Sequence, residues 1–477
     1  MRISFIRPTY GSRFQVNPPL SLGYLSSSLK QAGYADVALV DGSLDMLSPA
    51  QAVDAVIDGA PPGLVGLQVY TGSHAWAKQF IGLLKAKNPA IPTVVGGPHV
   101  TALKGLALDY LGADYGVMGE AEHSIVQLVQ LIEGKIGDPA NVEGLIYGKP
   151  GDWKHATQMF GFFHDVNNIP FPDWDLLRPE RYFPYLEGAS MPLRGKHPST
   201  ILTSRGCPYK CTFCSSGLTN KRIMRYRTPR NIVDEIKHLR DKYGVNEIFF
   251  VDDNLTMSLP RAEQIFDLLI EEKVGVAWRA PNGIRIDRLT DPMMEKMARS
   301  GGYYLGVGVE TGNPDVMRRI KKHLDLNVVK DRVRKLRKRR IAVSGFFMCG
   351  LIDETEEEME DTLRFALSIP FDRAQMSNYI PYPGSEDFDT IFHSDDPAEF
   401  EKRVMDFQQN ETIPPFPSVP LEKSIAFQKR FIKRFYLRPR IFWSMLVHFR
   451  LSQLKAILQH PWIRRWFDRK QTWYDNV

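Results

Sequence analysis

Three of the chain's four cysteines, Cys207, Cys211 and Cys214, fall within eight residues, in Ser204-Arg205-Gly206-Cys207-Pro208-Tyr209-Lys210-Cys211-Thr212-Phe213-Cys214. Three thiolates on one short loop can converge on a metal centre, and soft sulfur ligands select iron–sulfur or zinc over hard cations. A closed structural zinc site needs a fourth Cys or His nearby. Cys349 lies far along the chain, and the nearest histidines in sequence are His197 and His238. A cubane cluster with three protein ligands instead leaves one iron open to a small molecule. The spacing therefore predicts an open iron–sulfur cluster. Four cysteines in 477 residues do not make a disulfide framework.

Other groups able to meet a ligand sit where short β-branched runs end. In the first 135 residues the strand candidates are Ile3–Arg7, Val37–Val40, Leu64–Val69, Thr93–Val95 and Tyr115–Met118, with amphipathic stretches such as Leu20–Gln31 and Ala75–Lys87 between them. Five such steps predict a doubly wound parallel sheet, which takes its ligands beyond the carboxyl ends of its strands. Those ends carry Tyr70-Thr71-Gly72-Ser73, Gly96-Gly97-Pro98-His99 and Gly119-Glu120. Glycine there admits a bulky group close to the backbone. Taken singly, each is equally a tight βα turn.

Periodicity lapses from 136 to 197, where prolines interleave with aromatics, and this stretch reads as a connector. A second β–α series follows, with strand candidates Thr200–Thr203, Glu247–Val251, Val276–Ala280, Tyr304–Val309, Ile341–Met348 and Ala374–Tyr379. Pro229–Tyr243, Leu259–Lys273, Asp291–Arg299 and Glu354–Ser368 fill gaps with helical patterns. Six βα units predict a partial (β/α)6 barrel with its site at the strand C-termini. The fold class is thus α/β: a doubly wound domain (1–135), the connector (136–197), the partial barrel (198–390) and a helical, basic C-terminal region (391–477).

Composition bounds the rest. Charged residues are 24% and apolar ones 43%, ordinary globular usage. The longest uncharged apolar stretch, Ile341–Ile352, is too short to span a bilayer, and the N-terminus offers no signal-peptide block, so a cytoplasmic protein is expected. The net charge of +6 is uneven: Lys423 to Lys470 holds 13 Lys and Arg against one acidic residue, leaving a mildly acidic body. Basic pairs alternate there with Phe, Trp and Leu. Such a tail can cap the barrel or lie at the inner face of a membrane; nucleic acid is not expected, because no RNA-binding motif accompanies the charge.

The cysteine loop, including the aromatic before its last cysteine, resembles that of the radical S-adenosylmethionine superfamily. The likeness continues through Tyr226–Ile236, Phe250-Val251-Asp252-Asp253-Asn254, Asn282–Asp287, Gly306-Val307-Gly308-Val309-Glu310-Thr311-Gly312 and Gly345–Leu351. Residues 1–135 resemble the cobalamin-binding domain that precedes the barrel in cobalamin-dependent members, notably at Gly96-Gly97-Pro98-His99 and Gly119-Glu120-Ala121-Glu122, and Ile169-Pro170-Phe171-Pro172-Asp173 is similar to their connector. The D-x-H-x-x-G segment that supplies a cobalt ligand in other cobalamin proteins is missing after the first strand, where Pro8-Thr9-Tyr10-Gly11-Ser12-Arg13 stands.

The resemblance implies roles residue by residue. Cys207, Cys211 and Cys214 would hold a 4Fe-4S cluster whose fourth iron binds S-adenosylmethionine. Glu310 would hold the ribose hydroxyls, Arg285 the methionine carboxylate, and Asn378 and Tyr379 would face the adenine. Thr71, Gly72, Gly96, Gly97, His99, Gly119 and Glu120 would surround cobalamin. An external one-electron donor of flavodoxin or ferredoxin type would drive reductive cleavage of S-adenosylmethionine to a 5′-deoxyadenosyl radical. Hydrogen abstraction from a small-molecule or lipid substrate and methyl transfer from methylcobalamin to carbon or phosphorus would follow. The rival outcomes are a radical cyclisation or rearrangement with the same cofactors, and a non-catalytic cobalamin or redox sensor. RNA methylthiolation does not fit, because its N-terminal domain carries three cysteines of its own.

Overall fold

The computed structural model of the protein describes residues 1–9, 16–186, 193–392, 399, 402–404, 419–439 and 441. Five short apolar strands form the first sheet: β1 (Ile3–Arg7), β2 (Val37–Asp41), β3 (Leu64–Gln68), β4 (Thr93–Gly96) and β5 (Tyr115–Val117). All pair in parallel, in the order β2-β1-β3-β4-β5. Runs such as Leu64-Val65-Gly66-Leu67 are buried because helices cover both faces. The helix Pro49–Ile57 starts at Ser48, whose side chain accepts from Gln51 N while Gln51 bonds back, a reciprocal cap with proline at the first helical position.

This sheet extends beyond residue 135. An antiparallel hairpin, β6 (Leu145–Lys149) and β7 (Asp152–His155), adds two strands at the β5 edge. From there the chain lies against both domains. Tyr182 Oη donates to Asp41 of β2 at 2.6 Å, and Trp174 Nε1 to Glu235 of the helix Pro229–Tyr243 at 3.0 Å.

The second sheet contains β8 (Pro198–Ile201), β11 (Glu247–Phe250), β12 (Ala277–Ala280), β13 (Gly302–Glu310), β14 (Ala342–Cys349) and β15 (Arg373–Asn378), all parallel and in chain order. It is an open barrel, its edges at β8 and β15. Its outer core is packed by aromatics: the Trp278 ring stacks on Phe266 at 4.9 Å. A separate two-stranded ribbon, β9 (Ser204–Arg205) and β10 (Arg225–Tyr226), brackets the cysteine loop.

The chain beyond β15 does two jobs. The helix Glu386–Phe392 sends Phe388 and Phe392 into the core of the first domain. The helix Leu421–Tyr436 covers the exposed edge of the barrel, burying Phe427, Phe431 and Phe435 while Gln428 donates to Met376 O and Tyr436 Oη to Ala374 O of β15. Two of its basic residues pair outward, Lys423 with Glu356 and Arg430 with Glu360. This part of the tail is a cap. The basic, aromatic-rich stretch from 442 to 477 lies outside the described residues, as do Tyr10 to Arg13. Among the described residues no helix is long and apolar enough to cross a membrane.

Candidate active site

The cysteine loop is a hairpin held at its base and along its length. Asp252, buried at the end of β11, accepts from Thr203 N and Oγ1 at 3.1 and 2.7 Å and from Ser204 Oγ at 2.6 Å, which fixes the strand entering the loop. Gly206 follows with φ +102°, and a Cβ there would stand 2.3 Å from Ile223 O, so the turn requires glycine. Thr212 N donates to Ile320 O at 3.1 Å, Asp387 N to Thr212 O at 3.1 Å, and Arg222 to the Tyr209 carbonyl.

Cys211 is buried, while Cys207 and Cys214 are half-buried. Burial pushes all three thiols up, Cys214 to about 11, so a cation at the site would be needed to hold them as thiolates at neutral pH. No trio of His, Cys, Asp and Glu among the described residues is gathered tightly enough for one metal ion. Three sulfurs that each take a different iron of a cubane need not meet at one point. The donor set, soft and three in number, suits the cluster and not a single zinc.

Glu310 comes to the same place. It ends β13 with φ +69°, an unusual conformation for a non-glycine residue, where the register to β14 shifts between Gly308 and Glu310. The irregularity turns its carboxylate across Gly308 to Lys322, whose Nζ lies 2.6 Å from Oε1. Lys322 also lies 5.7 Å from the centre of the Phe213 ring in the cysteine loop. Arg285 stacks on Tyr209 of that loop at 4.2 Å, but its guanidinium is already occupied. It pairs with Asp287 at 2.8 Å and donates to Lys322 O and His323 O. These contacts tie Arg285 to Asp287 and to the backbone at 322–323, and Lys322, which sequence reasoning did not single out, is the cation beside Glu310. The only hint was its place in the pair Lys321-Lys322 soon after the Glu310 strand.

Asn378 and Tyr379 are likewise engaged. Tyr379 Oη donates to Asp387 Oδ2 at 2.7 Å, and the Asn378 amide lies between Gln428 and the Cys349 thiol. Burial raises the Cys349 thiol, and it sits in the core away from the loop.

On the other side of the hairpin is a cavity of about 410 Å³. Its walls are the C-terminal ends of β3, β4 and β5, the helix Leu20–Gln31, and the hairpin itself through Ser204, Arg205 and Asn220. Gly96, Gly97, Gly119 and Glu120 line it; Thr71, Gly72 and His99 do not. A Cβ on Gly96 would meet nothing nearer than Val117 O at 3.6 Å, so that position opens onto free space. Gly97 and Gly119 differ. Both have positive φ, and a Cβ would strike Val69 O at 2.7 Å or Gly161 O at 2.6 Å. The space, mostly apolar and floored by glycine at the ends of parallel strands, fits part of a large cofactor.

His99 is buried behind this wall. Its Nδ1 lies 3.2 Å from Thr71 Oγ1 and its ring stacks on His74 at 5.3 Å. The Glu120 carboxylate accepts from Phe163 N at 2.8 Å and pairs with Arg205 and Arg225 of the hairpin ribbon at 3.0 and 2.5 Å.

These two neighbouring sites define a cobalamin-binding radical S-adenosylmethionine enzyme, and the chain belongs to that family. Residues 201–366 match the Radical SAM superfamily and residues 7–129 the B12 binding domain. Such an enzyme works with a 4Fe-4S cluster, S-adenosylmethionine and cobalamin. Anaerobic magnesium-protoporphyrin IX monomethyl ester cyclase of Rubrivivax gelatinosus is 30% identical over 410 residues, 84% of this chain and 72% of the relative. An uncharacterized methyltransferase of Pyrococcus horikoshii is 28% identical over 89% of each chain. Cytidylyl-2-hydroxyethylphosphonate methyltransferase of Streptomyces wedmorensis is 27% identical over 77% of this chain and 76% of its own. The radical S-adenosylmethionine methyltransferase TsrM from Kitasatospora setae shares the fold, with a TM-score of 0.66 at 16% identity over 81% of this chain and 77% of that one.

Proposed function

We propose that the enzyme transfers a methyl group to an unactivated carbon or phosphorus of a small molecule or lipid. The observation that carries the reading is the shared hairpin: one face presents Cys207, Cys211 and Cys214 toward Glu310 and Lys322, and the other closes the glycine-floored cavity. When bound, the cofactors supply reductive cleavage of S-adenosylmethionine, driven by an external one-electron donor, and a transferable methyl group. The protein supplies position. The three cysteines hold the cluster, Glu310 accepts from the ribose hydroxyls, and Lys322 offers its remaining donors to the methionine carboxylate, for which Arg285 has no free fork. Gly96 leaves room for cobalamin beside the wall formed by Gly97 and Gly119, without a histidine from a D-x-H-x-x-G segment.

Two relatives named as methyltransferases support methyl transfer; the cyclase of Rubrivivax gelatinosus supports the second reading, a radical ring closure. Anoxic reconstitution with cobalamin and methyl-labelled S-adenosylmethionine on a cell extract separates them by mass spectrometry. A labelled methyl group in the product establishes transfer; 5′-deoxyadenosine with an unlabelled product establishes cyclisation. Neither product would leave the non-catalytic sensor. The cytoplasm is the compartment this reading expects, and contact with anionic lipid through residues 442–477 is tested by vesicle co-sedimentation at rising salt.

A further inference from the structure

Four charged side chains join the two sites, and nothing in the chemistry above uses them. Arg205, two residues before Cys207, pairs with Glu122 at 2.5 Å and Glu120 at 3.0 Å. Arg225, directly opposite Arg205 in the β9–β10 ribbon, pairs with Glu120 at 2.5 Å and donates to Phe163 O at 2.7 Å. All four side chains are at most 14% exposed. Aromatic rings cover the arginines, Phe162 under Arg225 at 3.9 Å and Tyr24 under Arg205 at 5.1 Å. The cluster is charge-neutral, largely buried between the domains, and placed where the base of the cysteine hairpin meets the end of β5. Glu120, Glu122 and Arg205 also line the cavity.

We infer that Glu120, Glu122, Arg205 and Arg225 are positioning residues, an ionic latch that seats the cysteine hairpin on the first domain so that the cobalamin and cluster sites keep one separation. Buried ion pairs of this kind are poor sources of net stability and good sources of a defined geometry, because a shifted arrangement leaves a charge unpaired. Cobalamin filling the cavity would then restrain the hairpin through Glu120 and Arg205, which line it. The inference rests on the cobalamin reading of the cavity.

Hydrogen exchange on the full anoxic chain, with and without added cobalamin, tests it. Wild-type protein should gain protection at the strand ends 66–70, 94–97 and 117–121, and also across the hairpin, 206–224. Single replacements strand a buried charge and risk unfolding, so the informative variant removes a pair: Glu122→Met with Arg205→Met, whose fold is read from unchanged exchange in β12 to β14. In that variant the strand ends should still be protected, while hairpin amides exchange about tenfold faster than in cobalamin-bound wild type. Equal hairpin protection in variant and wild type would overturn the latch, as would a wild-type hairpin that ignores cobalamin. No protection at the wild-type strand ends would instead overturn the cobalamin reading.

Discussion

The two sides of the hairpin are built by opposite means. Toward the barrel, functional side chains gather: three thiols, the Glu310 carboxylate turned aside by an irregular β13, and Lys322 against it. Toward the first domain, the absence of side chains makes the room, and the nearest carboxylates, Glu120 and Glu122, are drawn off to Arg205 and Arg225. A site made of side chains is announced by residue type and spacing. One made of missing side chains shares its signature with every tight βα turn. Damage should differ accordingly: deletions break the first site, additions the second.

The largest effect belongs to the cysteines. Anoxic wild-type protein should carry about four irons per chain. Replacing Cys207, Cys211 and Cys214 by Ala should remove the iron, the broad visible absorbance and all cleavage of S-adenosylmethionine. Metal analysis checks it, and iron retained by the triple variant would sink the assignment. Glu310 comes next. Losing a charge-assisted contact to the ribose costs about 1.5–3 kcal/mol, so Glu310→Ala should bind S-adenosylmethionine roughly 10- to 100-fold more weakly with its iron content intact. Titration calorimetry on the cluster-loaded protein reads that number. Unchanged affinity would move the ribose elsewhere.

Why one side was legible and the other only partly so follows from range. All eleven parallel strands expected from short apolar runs form, because each run carries its own signal. Hairpin β6–β7 escaped notice: apart from the buried Leu145 and Ile146 its residues are half-exposed or exposed at an edge, and Lys149-Pro150-Gly151 looks like connector. The surroundings of Arg285 were not legible, since Asp287 is only one of three groups that meet its guanidinium, the others being backbone carbonyls that no residue pattern reveals. The partners of Glu120, which lines the cavity, were hidden for a related reason. Its partners Arg205 and Arg225 lie 85 and 105 residues away in sequence, and a long-range buried charge pair has no local period. Docking of Phe388 and Phe392 on the first domain's core is another case, visible in sequence only as an apolar spacing.

A pair of adjacent glycines sharpens the contrast. Gly96→Val adds a side chain to open cavity without backbone strain, so cobalamin affinity should fall about tenfold, ~1.4 kcal/mol, with the melting temperature kept. Gly97→Val puts a β-branched residue at φ +105° and drives Cβ into Val69 O, so it should cost stability whether or not cobalamin is present. Spectral titration beside thermal unfolding separates the two. If both variants lost stability equally, the cavity would be no freer at Gly96 than at Gly97.

The smallest effect on the cofactor should come from His99, which sits in the motif but behind the wall. Burial, and then the nearby His74, hold its pKa down to about 3, so the folded protein keeps the ring neutral while the unfolded chain protonates it below about 6.5. The unfolded state therefore binds the extra proton. The His99 contribution to stability is fully present above pH 6.5 and is lost progressively as the pH drops from there toward about 3. His99→Phe keeps an aromatic ring in the stack on His74 and cannot titrate, so it should flatten this acid limb in unfolding curves taken between pH 4 and 7. Cobalamin affinity should stay within about twofold and show no new pH dependence. A shifted visible spectrum of bound cobalamin in this variant would mean that the imidazole reaches the cofactor, and the division between a side-chain site and a backbone site would no longer hold.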